Sequence, residues 1–219
     1  MTASSFLGFT ADRTMRSAQN LYEAGLITYL RTDGINISTS PNTGEPFSEE
    51  NPGPPPIEEI RNVISEKFGK QFLSADVRIY KSKVKNSQEA HEAIRPTNIK
   101  IYPENINLGQ DEQKLYTLIW NRTLASQMSN AQHERKKIII SSSNDKYIFN
   151  ASSRKTLFEG FETLSKKDSQ EIIEFPDNLK EKEEVNFVDF ISEQKFTSPP
   201  NRYSEASLIK KMEELGIGR

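Results

Sequence analysis

Gly25-Leu26-Ile27-Thr28-Tyr29-Leu30-Arg31-Thr32-Asp33-Gly34 is the stretch on which the fold and the chemistry of this chain turn. A glycine closes a helical pattern, a short apolar run follows, and a tyrosine, an arginine and an aspartate then fall within five residues. A phenol titrates near pH ~10 in water, so it is a weak nucleophile at neutral pH unless its anion is stabilised. Arg31 stands two residues from Tyr29. In an extended segment such residues share a face, which places a guanidinium beside the phenol or beside a phosphate that the phenol attacks. Arginine stays charged and its planar fork fits phosphate. Asp33 shares that face and can orient the arginine or handle a proton. The same spacing also fits a half-buried strand with a core tyrosine and a surface Arg/Asp pair, and exposed pairs of that kind contribute little.

Upstream, Thr10 caps an expected helix over 11–24, with Met15, Ala18, Leu21 and Tyr22 at helical spacing and Gly25 at its C-terminal stop. Ile27 to Arg31 is expected as a short strand. The stretch from Pro41 to Pro56 is rich in proline, glycine and glutamate. It reads as an extended surface loop, because proline suits neither a helix interior nor a central strand. Ile57 to Phe68 restores a helical stripe. Val77 to Lys85 alternates as a strand with Lys81, Lys83 and Lys85 on one face, either a phosphate-facing row or a solvated edge. Asn86 to Pro96 reads as a capped helical turn with His91 and Arg95 stacked four residues apart. His-Glu-x-x-Arg lacks the second histidine of a zinc-protease motif. Asp111 to Met128 forms a helix with Trp120 as its anchor. Lys136 to Ser141, Tyr147 to Ala151, Lys155 to Phe158 and Val185 to Ile191 predict a small antiparallel sheet of hairpins. A final helix follows Pro199-Pro200-Asn201-Arg202-Tyr203-Ser204, with Leu208, Met212 and Leu215 on its apolar side. Gly216-Ile217-Gly218-Arg219 reads as a cut rather than a natural end.

Composition sets the class. The chain has 219 residues, 34% of them hydrophobic, and a formal net charge of -2. With a pI of about 5.9 and a mean hydropathy of -0.69, any contact with phosphates has to be local rather than a property of the whole chain. There is no cysteine, which excludes disulfides, thiolate zinc sites and a thiol nucleophile. No apolar run approaches the ~18 residues of a membrane span, and no basic-then-apolar leader pattern opens the chain. The expectation is a soluble intracellular protein without membrane partners.

Four stretches in order carry a family resemblance. Arg16 to Asp33 resembles the active-site signature of bacterial type IA DNA topoisomerases. Ser87-Gln88-Glu89-Ala90-His91-Glu92-Ala93-Ile94-Arg95-Pro96 resembles a second signature, Leu115 to Arg122 the helix that follows it, and Pro199 to Leu208 with Gly216 to Arg219 a third. The resemblance implies ATP-independent cleavage of one DNA strand by a tyrosine that keeps the 5′-phosphate as a phosphotyrosine, then rejoining. It implies that Tyr29 is the nucleophile, that Arg31 holds the scissile phosphate, that Asp33 is the acidic neighbour and that His91 contacts phosphate or relays a proton. It implies DNA-backbone roles for Arg95, Arg202 and Arg219, that of Arg95 being structural or backbone-contacting.

Departures from the pattern matter as well. Gly34 stands where the family usually has a serine. No Asp-x-Asp occurs in the chain, so Mg2+ is expected for the complete enzyme with no ligands here. The implied fold is α+β and multidomain: a helical tyrosine-bearing domain over 1–128 with a Pro-rich loop at 41–56, part of a β-rich arch domain over 129–198, and the first helix of a further DNA-binding domain over 199–219. The implied partners are the single-stranded segment of underwound DNA and a metal-binding domain supplied in cis or in trans. The competing expectation is a non-catalytic module that binds single-stranded DNA weakly. A third is that the loop at 41–56 recruits a protein partner.

Overall fold

The computed structural model describes residues 2–32, 34–43, 47–80, 92–165, 175–176, 178–189 and 191–217. Its helices are α1 (Thr2–Leu7), α2 (Ala11–Glu23), α3 (Pro56–Lys67), α4 (Gln110–Gln127) and α5 (Glu205–Glu214). One antiparallel pair, β1 (Gln132–Ser141) with β2 (Ile148–Phe158), lies between α4 and α5 in the chain. The content is α+β. Two compact units divide the chain: Met1–Ala131 with Glu159–Lys166 and Ser204–Arg219, and Gln132–Phe158 with Lys167–Tyr203. Among the described residues no helix is long and apolar enough to cross a membrane.

The helical unit is built around α4. Leu115, Tyr116, Trp120, Leu124 and Met128 are buried with Leu21 of α2 and Ile60, Val63 and Ile64 of α3. Buried polar tips need partners, and each aromatic of α4 has one. Trp120 Nε1 donates to the Ile99 carbonyl at 2.9 Å, and Tyr116 Oη donates to Ile101 at 2.8 Å. Tyr102 meets the Trp120 ring edge-on at 5.8 Å, and Lys67 at the end of α3 lies 4.2 Å above the Tyr102 ring. On the outside, Arg13 of α2 grips Asp111 of α4 with two bonds of 2.6 and 2.5 Å, which hold the Asp111 carboxyl below the usual carboxylate range.

α2 begins and ends as its sequence demands. Thr10 Oγ1 accepts from the Arg13 amide at 3.3 Å. At the other end Gly25 adopts φ +69°, its N–H bonds to Tyr22 O, and Leu26 N–H reaches back to Leu21 O. This paired pattern closes the orphan carbonyls of the last turn, and glycine enters it without steric cost.

Several local expectations change. Ile27 to Arg31 is not a strand; Ile27 makes a single bridge to Pro96. Val77 to Tyr80 forms no strand either, because side-chain amides take the place of a neighbouring backbone. Gln127 accepts from Arg78 N–H and donates to its carbonyl, both at 3.0 Å, and Asn36 does the same for Tyr80 at 2.7 and 2.8 Å. Lys81, Lys83 and Lys85 lie outside the described residues, as does 86–91 of the expected helical turn; residues 92–95 are not helical. Pro56 is the first residue of α3 rather than the end of the loop, since a proline there gives up only an N–H that has no helical partner. Within that loop, Asn42 and Gly53 exchange two backbone bonds of 3.0 and 2.7 Å.

The β unit is simpler than expected. Ser152 and Ser153 do not break β2; they pair with Lys137 and Lys136. No strand forms among the described residues of 185–191. Residues at Ile139, Ile148, Phe149 and Leu157 are at least half exposed on both faces of the pair.

Burial pushes the Tyr116 phenol up to about 12. Between its ordinary value near ~10 and that value, the folded chain keeps a proton the unfolded chain loses. Its contribution to stability is therefore present below pH ~10 and lost as pH rises toward the folded value. Absorbance titration of the phenolates should show one late step among the seven tyrosines, missing in Tyr116→Phe.

Candidate active site at the Tyr29 loop

The segment after α2 is sewn to residues 92–97 on both sides of Tyr29. Thr28 N–H donates to Arg95 O at 2.9 Å, Arg95 N–H donates to Thr28 Oγ1 at 3.0 Å, and Thr28 Oγ1 donates to Ala93 O at 3.2 Å. Thr97 adds bonds to Leu26 O and Gly25 O at 3.1 and 2.6 Å. Beyond Tyr29, Thr32 Oγ1 donates to Glu92 O and accepts from Gly34 N–H, each at 2.9 Å. Ile27 and Leu30 are buried beneath these bonds.

The two side chains that the spacing singles out point the other way. Tyr29 is 52% exposed, with its ring edge-on to Tyr22 of α2 at 5.5 Å. Arg31 is exposed, and its guanidinium has no hydrogen-bond or ion-pair partner among the described residues. A fixed backbone thus presents a phenol and an uncommitted cation at the surface. Such an arrangement suits capture of a phosphate, because the planar fork of a guanidinium with no other partner fits phosphate oxygens.

A family model for DNA topoisomerase matches residues 1–219. The chain is 43% identical to DNA topoisomerase 1 of Rickettsia bellii over 228 residues, covering 97% of this chain and 26% of that protein. It is 42% identical to DNA topoisomerase 1 of Helicobacter pylori, covering 100% of this chain and 28% of that protein. A solved structure of full-length topoisomerase I from Thermotoga maritima superposes with a TM-score of 0.70 at 34% identity, over 99% of this chain and 33% of that one. The chain belongs to the bacterial type IA DNA topoisomerase family. It spans about a quarter to a third of the length of these relatives.

Within this topoisomerase sequence, Arg95 faces inward. Its guanidinium is 10% exposed. It grips the Glu92 carboxylate with two bonds of 2.9 Å and donates to the Pro96 carbonyl at 2.9 Å. These donors are spent inside the protein and not offered to DNA. Asp33, His91 and Arg219 lie outside the described residues. Arg202 is exposed and belongs to the second unit. Tyr29, Arg31 and Arg95 are therefore the sequence-predicted residues brought into one unit and described. Among the described residues no group of three or more acidic or imidazole side chains could hold a metal ion.

Sequence reasoning passed over Glu92, although it lies inside the second signature three residues before Arg95. Its carboxylate holds Arg95 and also accepts from Ser38 N–H at 3.3 Å, and its carbonyl receives Thr32. The available signal was its spacing from Arg95, which suits an ion pair.

Glu92→Ala leaves a nearly buried guanidinium without its carboxylate. The expected cost is about 1.5–3 kcal/mol, measured by urea unfolding. Hydrogen exchange should quicken at the Thr28 and Thr97 amides more than at amides of α4.

Proposed function

We propose that this chain carries the nucleophile half of a single-strand DNA cleavage and rejoining site. The observation that carries the reading is the pairing of an exposed Tyr29 with an exposed, uncommitted Arg31 on a backbone pinned on both flanks. Tyr29 Oη attacks a backbone phosphorus in line. The Oη–P bond forms, the bond from phosphorus to the 3′-oxygen breaks, and the phenolic proton is transferred so that the leaving oxygen departs as a 3′-hydroxyl. The 5′-phosphate stays on Tyr29. Rejoining is the reverse attack by that hydroxyl, and since one phosphodiester replaces another no ATP is needed.

Arg31 holds the non-bridging oxygens and offsets the charge that builds on them. Asp33 and His91 are assigned to orienting Arg31 and to moving the proton, on family resemblance. Arg95 acts as a positioning residue, while Arg202 and Arg219 are assigned to backbone contacts on the incoming strand. Relaxation also needs the opposing face of a gate and the magnesium-bearing residues of the longer relatives. We assign those to a further domain in cis or in trans, acting with this chain on underwound DNA in the cytoplasm.

A labelled single-stranded oligonucleotide incubated with the chain and quenched with denaturant tests the reading. A covalent adduct is expected, absent in Tyr29→Phe and reduced on the order of 10²-fold or more in Arg31→Ala. Salt-sensitive binding with no adduct would instead make the chain a binding module. Plasmid relaxation by the chain alone with magnesium is expected to fail.

A further inference from the structure

The bonds that pin the Tyr29 segment run through its neighbours, Thr28 on one side and Thr32 on the other. They fix the backbone of Tyr29 and leave its side chain to be placed by something else. A tyrosine has staggered wells at χ1, and its hydroxyl sits at the far end of a rigid ring. A hop between wells therefore moves the hydroxyl by more than the ~1 Å misplacement that can cost a rate on the order of 10²-fold. Among the described residues the Tyr29 hydroxyl has no hydrogen-bond partner, and its ring meets one other aromatic ring, that of Tyr22, with centroids 5.5 Å apart and planes at 65°.

Tyr22 stands on firmer ground than Tyr29. It lies in the last turn of α2, directly after the fully buried Leu21, and its carbonyl accepts from Gly25 N–H at 2.9 Å in the stop that ends the helix. On a helix the preceding turn closes one of the χ1 wells, so a ring carried there has fewer places to go than a ring on a loop. Tyr22 is nevertheless 40% exposed, and core packing alone does not account for a large aromatic at this position. What it reaches is the Tyr29 ring, in the T-shaped arrangement that the quadrupoles of two aromatic rings favour. Beyond its area burial, such a pair favours one arrangement over the others by roughly two- to tenfold.

We infer that Tyr22 is a positioning residue for the nucleophile: its helix-borne ring selects the Tyr29 rotamer in which the hydroxyl is held ready at the surface. It rests on the reading of Tyr29 as the attacking group, and it gives Tyr22 no contact with the reacting atoms. The Tyr22 ring does this work, and its hydroxyl takes no part.

Two measurements on the full chain test this, with Tyr22→Leu removing the aromatic edge while keeping apolar bulk and helix propensity, and Tyr22→Phe keeping the ring. The first needs no DNA. In tyrosine-labelled protein, with the Tyr29 signals assigned through Tyr29→Phe, the Hα–Hβ couplings of Tyr29 should report one dominant rotamer in the parent chain and in Tyr22→Phe, and an average over rotamers in Tyr22→Leu. The second is the rate of adduct formation against oligonucleotide concentration. Tyr22→Leu should lower the saturating rate roughly two- to tenfold and leave the half-saturating concentration unchanged, and Tyr22→Phe should match the parent chain. Unchanged Tyr29 couplings in Tyr22→Leu, a Tyr22→Phe variant as slow as Tyr22→Leu, or a change confined to the half-saturating concentration would overturn the inference; the last would make Tyr22 a platform for a base. Should the parent chain form no adduct, the catalytic reading fails by itself, and the couplings still decide whether Tyr22 sets the Tyr29 rotamer.

Discussion

Glu92 and Arg95 form the pair on which the Tyr29 loop depends. Taking two charges out of water costs several kcal/mol unless geometry and further hydrogen bonds compensate. Here they do. The arginine fork meets both carboxylate oxygens, its third nitrogen finds the Pro96 carbonyl, and the carboxylate keeps an oxygen for Ser38 N–H. The pair stiffens residues 92–97 enough for their backbone to serve as a template. Thr28, Thr32 and Thr97 then bind the loop to that template from both sides. The result is a division between inward and outward arginines: Arg95 is consumed by structure, while Arg31 is left uncommitted.

The same economy governs the other end of the loop. Gly25 stops α2 in a conformation that turns Leu26 and Ile27 toward the core within two residues. Tyr22, in the last turn of the helix, is thereby brought edge-on to Tyr29. The phenol is held by that edge-on contact and by the laced segment on which it stands. Tyr29 remains half exposed in that position.

Much of this was legible in the sequence because it is local. The glycine stop of α2, the apolar stripes of α3 and α4 and the Tyr29–Arg31 spacing depend on residues near one another. What could not be read depends on distant partners. The amide side chains of Asn36 and Gln127 replace a strand partner for 77–80, and nothing in an alternating pattern signals that its backbone bonds go to side chains. The inward turn of Arg95 was equally hidden, because a basic residue in a DNA-associated signature looks the same whether it faces solvent or Glu92. Ser152-Ser153 looked like a break because serine favours turns, yet pairing across to Lys136 and Lys137 overrides so weak a preference.

The pairing of β1 with β2 contains one irregularity, between Gln132 and His133, where Leu157 is the extra residue on the opposite strand. Were Leu157 taken into the ladder instead, the register would run one step over and set Arg135 against Lys155 and Lys136 against Arg154. The bulge gives Lys155 to Glu134 and moves Arg154, rather than a lysine, beside Arg135 and Lys137. Parity at this single position decides whether Glu134 stands opposite Lys155 or opposite Thr156. A one-residue deletion at Leu157 would therefore remove the bulge and leave the pairs toward the turn as they are, whereas a one-residue change in the length of the Ser142–Tyr147 turn would shift them.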